Sequence, residues 1–232
     1  MKVGYLVSGM TLAAAMITAG AAQAQDGATW SFGVRGATDY VWRGVSQTDR
    51  NPAVFVSGQV NLSNGFYAGV GAENVDFNEG TDAEYDFWLG WAGKLSDSVT
   101  LDLGAVRYGY IGAPDGSDYD TVEIKAALST RVGQATLTGS VYATDDFFGT
   151  EDSAVYYEVA ASSPIADKWN IDGAVGRQTV SVAGGDYTTW NVGVTYAATS
   201  NVGLDLRYHD TNAHDFSDNH DSTVVASVKL SF

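Results

Sequence analysis

Apolar residues recur at every second position through almost the whole chain from residue 29 onward. A two-residue period is typical of β-strands that bury one face. The pattern divides into about twelve segments, each close to the ten or so residues that a tilted membrane strand needs. No long helical period interrupts them. The sequence therefore predicts an all-β chain, folded as a single up-and-down antiparallel transmembrane β-barrel of about twelve strands.

The connections between these segments alternate in length. The short ones are residues 64–65, 94–97, 131–133, 163–168 and 199–201. The others are residues 39–51, 76–82, 111–118, 145–152, 181–186 and 209–221. Short turns at one rim and long loops at the other are typical of membrane barrels, and an even strand count places both termini on the periplasmic side. We expect Pro52 at the start of a strand and Pro114 and Pro164 in loops, because proline lacks an N–H for the ladder.

Both ends of the chain agree with export to a membrane. Lys2, an apolar stretch and the sequence Ala22-Gln23-Ala24 predict that residues 1–24 are a cleaved signal peptide, and an uncleaved anchor is the alternative. Residues 25–232 then form the barrel. The alternating segment 223–232 ends on an aromatic residue, as the closing strand of an outer-membrane barrel usually does. Its residues Val228, Leu230 and Phe232 are predicted to be the signal read by the barrel-assembly machinery.

Periodicity alone does not say which face meets water. Charged residues are sparse on the segments, and aromatic residues lie near their ends, as in the aromatic girdles of membrane barrels. We place Trp30, Phe66, Trp91, Trp169, Tyr196 and Phe232 at the periplasmic rim and Tyr40, Trp42, Tyr85, Tyr157, Tyr187 and Tyr208 at the outer rim. The apolar face is therefore predicted to meet lipid. A secreted β-sandwich or lectin-like domain is the alternative.

Composition narrows the classes of function. The chain has no cysteine, so no disulfide or thiol is involved. Its formal net charge is −16. A chain this acidic lacks the basic patches that give proteins affinity for nucleic acid, so nucleic acid is not expected as a partner.

The face opposite the apolar one is predicted to line the lumen. Its charged residues are Arg35, Glu73, Glu84, Asp86, Asp102, Glu123, Lys125, Glu158, Asp172, Asp205, Arg207 and Lys229. Acids outnumber bases, so a water-filled lumen is expected to favour cations mildly. The mixed signs also allow the alternative that opposed pairs form a network that closes a narrow barrel.

Four further residues lie near the outer ends of strands. Asp39 and Arg43 are placed at the barrel mouth, where they form either a constriction or an ion pair that braces the loop. Arg107 and Arg177 have the lipid-facing parity, so they are candidates for contact with lipopolysaccharide, since a guanidinium binds phosphate bidentately. Simple exposure to solvent is the alternative.

The outer loops carry most of the remaining acidic charge, for example at Asp115, Asp118, Asp145, Asp146, Glu151 and Asp152. Divalent cations are possible ligands of such loops. His209, His214 and His220 surround the last loop, but their spacing fits no structural zinc pattern, so a metal site there has little support. His209 beside Asp210 is the one pairing that suggests a hydrolase, and no nucleophile accompanies it. We predict no catalytic residue and no bound cofactor.

The segment Gly36-Ala-Thr-Asp-Tyr-Val-Trp-Arg-Gly-Val-Ser-Gln-Thr-Asp49, followed by Asn51-Pro52-Ala53, resembles the N-terminal signature of the TorF-like family of porins. These are small proteobacterial outer-membrane proteins, many of unknown function. Residues 65–70, 74–76 and 108–110 are also similar to that family. The resemblance implies an outer-membrane barrel in a Gram-negative bacterium, in contact with lipid and lipopolysaccharide, and it implies no catalytic residues and no established substrate.

Two functions follow as expectations. The first is passive diffusion of ions or small polar solutes. The second is a largely closed structural or surface-interaction barrel, whose acidic outer loops bind a partner or a divalent metal.

Overall fold

The computed structural model describes residues 27–232, and within that range twelve strands form one closed antiparallel barrel. Consecutive barrel strands pair with each other, and the first also pairs with the last. The barrel strands are β1 (Ala28–Ala37), β4 (Ala53–Leu62), β5 (Phe66–Asn74), β6 (Ala83–Lys94), β7 (Val99–Ile111), β8 (Thr121–Val132), β9 (Ala135–Thr144), β10 (Ala154–Ala166), β11 (Trp169–Val180), β12 (Tyr187–Ala197), β13 (Val202–Thr211) and β14 (Thr223–Ser231). The predicted barrel is confirmed.

The predicted signal peptide, residues 1–24, lies outside the described residues, so its cleavage stays a prediction. Among the described residues, no helix is long and apolar enough to cross a membrane.

The two faces of the wall differ in the way that alternation predicts. Large apolar side chains such as Phe87, Leu89 and Val159 are exposed on the outside of the barrel. Their neighbours of opposite parity, such as Asp86 and Glu123, are buried inside it. A soluble barrel would place these two sets the other way round, so the outer surface suits a lipid environment.

The wall closes between the first and last described strands. Phe232 and Phe32 exchange backbone hydrogen bonds, at 2.9 Å from the Phe232 N–H and 3.1 Å from the Phe32 N–H. The ladder continues from Gly33 opposite Ser231 to Ala37 opposite Ser227. Closure leaves the barrel without a free strand edge, which is the condition for a sheet to stand in hydrocarbon.

The position predicted for Pro164 is wrong. Pro164 lies within β10, which continues to Ala166, so the turn between β10 and β11 contains only residues 167–168. The pairing of β10 with β9 has already ended at Ser162, and its pairing with β11 shifts register between Pro164 and Ala166. The missing N–H therefore falls where one ladder has stopped and the other is irregular.

Residues 38–52, here called the mouth segment, contain a small hairpin that the periodicity did not predict. β2 (Val41–Trp42) pairs with β3 (Val45–Ser46) across a turn formed by Arg43 and Gly44. Both turn residues have positive φ, at 44° and 83°, as a type I′ turn requires. The hairpin folds into the barrel, which buries Tyr40 and Trp42, and Tyr187 on the wall is buried as well. The prediction that these three belong to an outer aromatic girdle is therefore wrong.

The orientation of the wall can be tested with one charge on each face. Val159 lies on the outer face near the middle of β10, and Ser140 lies on the inner face of β9. We expect Val159→Arg to make the barrel less stable in a bilayer by about 2–4 kcal/mol, which is the cost of placing an arginine at the lipid midplane. Ser140→Arg is expected to cost much less, because its charge enters the lumen beside Glu158. Denaturant titration of both variants in vesicles measures this, and an equal cost would contradict the assignment of the faces.

Candidate functional site

The mouth segment crosses the barrel interior and places an arginine against the opposite wall. The Arg43 guanidinium donates two hydrogen bonds to Glu123 on β8, at 2.8 Å and 2.7 Å, and one to Gln178 on β11, at 2.9 Å. Gly44 lies so close to Thr189 on β12 and Thr211 on β13 that a side chain there would collide with them. The tip of the hairpin is thus held between β8 on one side and β11 to β13 on the other.

Arg43 is enclosed as well as paired. Its guanidinium lies 4.1 Å from the ring of Trp42 and 4.2 Å from that of Tyr156. The side chains of Arg43 and Glu123 are only 4% and 2% exposed. A bidentate ion pair in such surroundings is weakly screened, and removal of one partner leaves a buried charge without compensation.

Aromatic packing fills the space around the hairpin. Trp42 makes edge contacts with Phe148 at 5.6 Å and with Tyr108 at 6.4 Å between ring centroids. Phe147 and Phe148, from the connection between β9 and β10, belong to the same buried cluster. The long-loop end of the barrel is therefore narrowed by a packed plug of side chains rather than by the hairpin backbone alone.

The base of the mouth segment makes a second set of contacts. Asp39 accepts hydrogen bonds from Ser46 at 2.7 Å and from Thr48 at 2.9 Å. Asp39 and Arg43 form no ion pair with each other, since Arg43 pairs with Glu123. The Tyr40 hydroxyl lies 3.4 Å from Glu73 and 3.3 Å from Glu84, on the wall near β1.

Below the plug, charged side chains of the inner wall form pairs. Lys125 lies 2.5 Å from Asp102, whose other oxygen accepts a hydrogen bond from Tyr67. Arg207 lies 2.5 Å from Asp172 and 3.1 Å from Asp205. These side chains keep some exposure, 17% for Lys125 and 28% for Asp102, so the interior there is accessible to water.

The other predicted lumen residues lie on the same inner face. Arg35 stacks on Phe55 at 3.7 Å, and its cross-strand partner is Lys229. Glu158 accepts a hydrogen bond from Tyr156 at 2.9 Å. Arg35 and Lys229 bring two like charges side by side on β1 and β14.

The last loop does not gather the three histidines. His214 forms a hydrogen bond with Asp210 at 2.7 Å. His220 ends a short 3₁₀ turn, Asp218–His220, and forms a hydrogen bond at 2.9 Å with Ser217, which precedes that turn. Within residues 27–232 they form no group of three metal ligands. The suggested pairing of His209 with Asp210 is not seen, since Asp210 accepts from Tyr208 and bonds to His214.

The two arginines expected near lipid head groups are exposed toward the long-loop ends of their strands. Arg107 pairs with Asp120, and Arg177 pairs with Asp186 at 3.1 Å. Their contact with lipopolysaccharide stays a prediction, as does the role of Val228, Leu230 and Phe232 in assembly.

Sequence reasoning missed several residues that define this interior. Gln178 has the inner parity, but parity alone does not distinguish it from the other polar residues of that face. Tyr40 and Trp42 lie inside because the segment between β1 and β4 folds into the barrel instead of forming an open loop at the rim. Gly44, which follows Arg43 between Val41-Trp42 and Val45-Ser46, is the one hairpin-turn signal that the sequence does contain there.

The closed wall, its apolar exterior and its polar interior define a porin-like β-barrel. Solved structures with the same fold include the KdgM porin, at 9% sequence identity, covering 87% of this chain and 99% of that one, with a TM-score of 0.62. The NanC porin is 12% identical, covers 86% of this chain and 97% of that one, and has a TM-score of 0.59. An outer-membrane channel from Pseudomonas putida F1 is 10% identical, with coverage of 90% and 96% and a TM-score of 0.50. At these identities the likeness concerns the fold.

The chain belongs to the family described as "Bacterial protein of unknown function (Gcw_chp)", whose sequence model matches residues 21–232. The TorF-like name stays a prediction. No curated protein sequence matches the chain.

Loss of the Arg43 contacts should release the mouth segment. We expect Arg43→Ala to destabilise its folded position by about 3–5 kcal/mol, the usual effect of removing one member of a buried ion pair. Hydrogen exchange at the amide of Gln47, which donates to the Tyr40 carbonyl at 2.7 Å, reports this opening. Arg131→Ala, at an exposed residue of the other rim, is the matched control. Unchanged exchange in Arg43→Ala would show that the aromatic packing alone holds the segment.

Acid should loosen the last loop. Burial lowers the pKa of His220 to about 4, below its ordinary value of 6.5. Neutral His220 thus stabilises the loop above about pH 6.5, and this contribution is lost as the pH falls toward 4. His214, whose pKa is raised by its hydrogen bond to Asp210, acts in the opposite direction.

The comparison of the native chain with His220→Phe isolates the first effect. Phenylalanine keeps a ring against Tyr187 and Phe216 and cannot titrate. We expect amide exchange in residues 212–222, corrected for intrinsic rates, to rise between pH 7.5 and pH 5 more in the native chain than in the variant. The same rise in both would show that other groups control the loop.

Proposed function

We propose that this protein is a channel for passive diffusion of ions or small polar solutes across the outer membrane of a Gram-negative bacterium. The observation that carries the proposal is the water-accessible, charged interior below the plug, exemplified by Lys125 and Asp102, inside a closed wall with an apolar exterior. Mobile solutes need such an interior, whereas a narrow barrel whose side chains fill the lumen completely leaves them no path.

A mild preference for cations follows from the balance of charge. Asp102, Asp172 and Asp205 are offset by Lys125 and Arg207, and Glu123 is offset by Arg43. Acidic side chains nevertheless outnumber basic ones over the whole inner face. Rings of carboxylates lower the barrier for positive ions, so cations are expected to pass more easily than anions.

The mouth segment sets the width of the path. It joins the wall near β1, through Tyr40, to the opposite wall, through Arg43. A solute must therefore pass beside the hairpin, which favours small ions over larger solutes and a low conductance.

The same observation supports a second candidate function. A plug with a buried bidentate ion pair and close aromatic contacts also suits a largely closed barrel, whose acidic outer loops bind a partner or a divalent metal. The two functions differ in whether current flows through the folded protein.

Single-channel recording in a planar bilayer under a salt gradient tests the proposal. We expect the native barrel to give small discrete steps with a cation-selective reversal potential. Arg43→Ala is expected to give larger steps, because the hairpin is no longer held across the lumen. Arg131→Ala, at the exposed rim, serves as the control and should match the native steps.

Each contrary outcome has a defined meaning. Anion selectivity would keep the channel and overturn the cation preference. No steps from a folded, inserted native sample, together with steps from Arg43→Ala, would favour the closed barrel. No steps from either protein would exclude the channel.

A further inference from the structure

Three carboxylates meet under the base of the mouth segment. Glu73 lies on β5, and Glu84 and Asp86 lie on β6. Each offers one oxygen, and the three oxygens lie within 4.8 Å of one another. Glu73 is the cross-strand partner of Glu84, and Gly71 is the partner of Asp86. Two neighbouring strands of the rigid wall thus set their positions, without a flexible loop.

Two members of this cluster, Asp86 and Glu73, are buried with too few hydrogen-bond donors. Asp86 is 1% exposed, and neither of its oxygens accepts a hydrogen bond. Oε2 of Glu73 also lacks a donor, and within residues 27–232 neither Glu73 nor Asp86 forms an ion pair. Buried carboxylates without partners are strongly unfavourable, so the arrangement calls for a positive charge or for bound protons.

The nearby cationic groups have other partners. Arg35, in the same transverse row of the wall, stacks on Phe55. Lys125 is paired with Asp102 at 2.5 Å. The Tyr40 hydroxyl approaches Glu73 at 3.4 Å and Glu84 at 3.3 Å, and neither oxygen of Asp86 accepts a hydrogen bond from it.

The spacing and the surroundings suit a hard divalent cation. Calcium takes oxygen ligands at about 2.3–2.6 Å with flexible geometry, so two oxygens on one ion can be up to about 5 Å apart. Asp86 also lines a cavity of about 40 Å³, together with Tyr67, Tyr108, Tyr142 and Lys125, whose ammonium group is paired with Asp102. A cavity of that size has room for water, which can complete the coordination shell.

We propose that Glu73, Glu84 and Asp86 bind a calcium ion inside the barrel, under Tyr40 of the mouth segment. Calcium fits better than magnesium, because magnesium demands near-ideal octahedral geometry at shorter distances. The ion offsets the buried negative charge and holds the carboxylates that Tyr40 contacts, so it steadies the base of the mouth segment. This site differs from the acidic outer loops, and it does not depend on whether the barrel conducts.

Calcium titration of the refolded protein in detergent, after removal of metal with a chelator, tests the site. We expect calorimetry to show saturable binding in the native chain and at least a tenfold loss of affinity in Asp86→Asn, which keeps the side-chain shape and removes the charge. Asp115→Asn, in an exposed outer loop, is the matched control and should bind as the native chain does. Terbium luminescence excited through tyrosine should follow the same order, because Tyr40 lies next to the cluster.

Two further measurements keep the test decisive. Heat-dependent electrophoretic mobility establishes that each variant is folded, and Glu73→Gln replaces Asp86→Asn if that variant does not fold. Binding that is unchanged in the folded variants, or lost in Asp115→Asn, would overturn the site in favour of the loops. An infrared carboxylic acid band that persists at saturating calcium would overturn it by showing that protons neutralise the cluster.

Discussion

The whole architecture depends on the pairing of every backbone N–H and C=O group within the wall. A sheet in hydrocarbon cannot leave an edge unpaired, so the ladder has to return to its first strand. The exchange of hydrogen bonds between Phe32 and Phe232 completes that circuit. Once the backbone is satisfied, alternation sends one set of side chains to lipid and confines the other to a narrow interior. The chemistry of the protein is restricted to that interior and to the loops.

The mouth segment determines how the barrel interior is filled. It follows directly after β1, and its hairpin tip and its base are held by different interactions. Arg43 is held at the tip by charge, through Glu123, and by aromatic rings. Tyr40, nearer to β1, faces the three carboxylates of β5 and β6. The lumen is thus divided into a packed outer part and a wetter part near the short turns, where Lys125 and Arg207 pair with aspartates.

The sequence predicts the wall better than its contents. Period-two alternation depends only on local parity, which is why the barrel and its strand count follow from the residues alone. The place of Pro164 depends on where the neighbouring ladder ends, and no local signal contains that information. The partners of Arg43 lie 80 and 135 residues away in sequence, so their contact depends on how far the hairpin reaches across the lumen. Strand parity predicts that Glu73, Glu84 and Asp86 face the lumen. It does not predict that they converge, because this depends on the register between β5 and β6.

The closure of the wall joins the two most distant strands of the chain. Strands β1 and β14 come from opposite ends of the described chain, so their pairing has the largest sequence separation in the fold and the greatest loop-closure entropy to overcome. The mouth segment begins directly after β1, and the tip of its hairpin contacts β8, β11 and β12. The seam between β1 and β14 therefore also encloses the buried pair of Arg43 and Glu123, so a strand pairing made by the two ends of the described chain retains a contact inside the lumen.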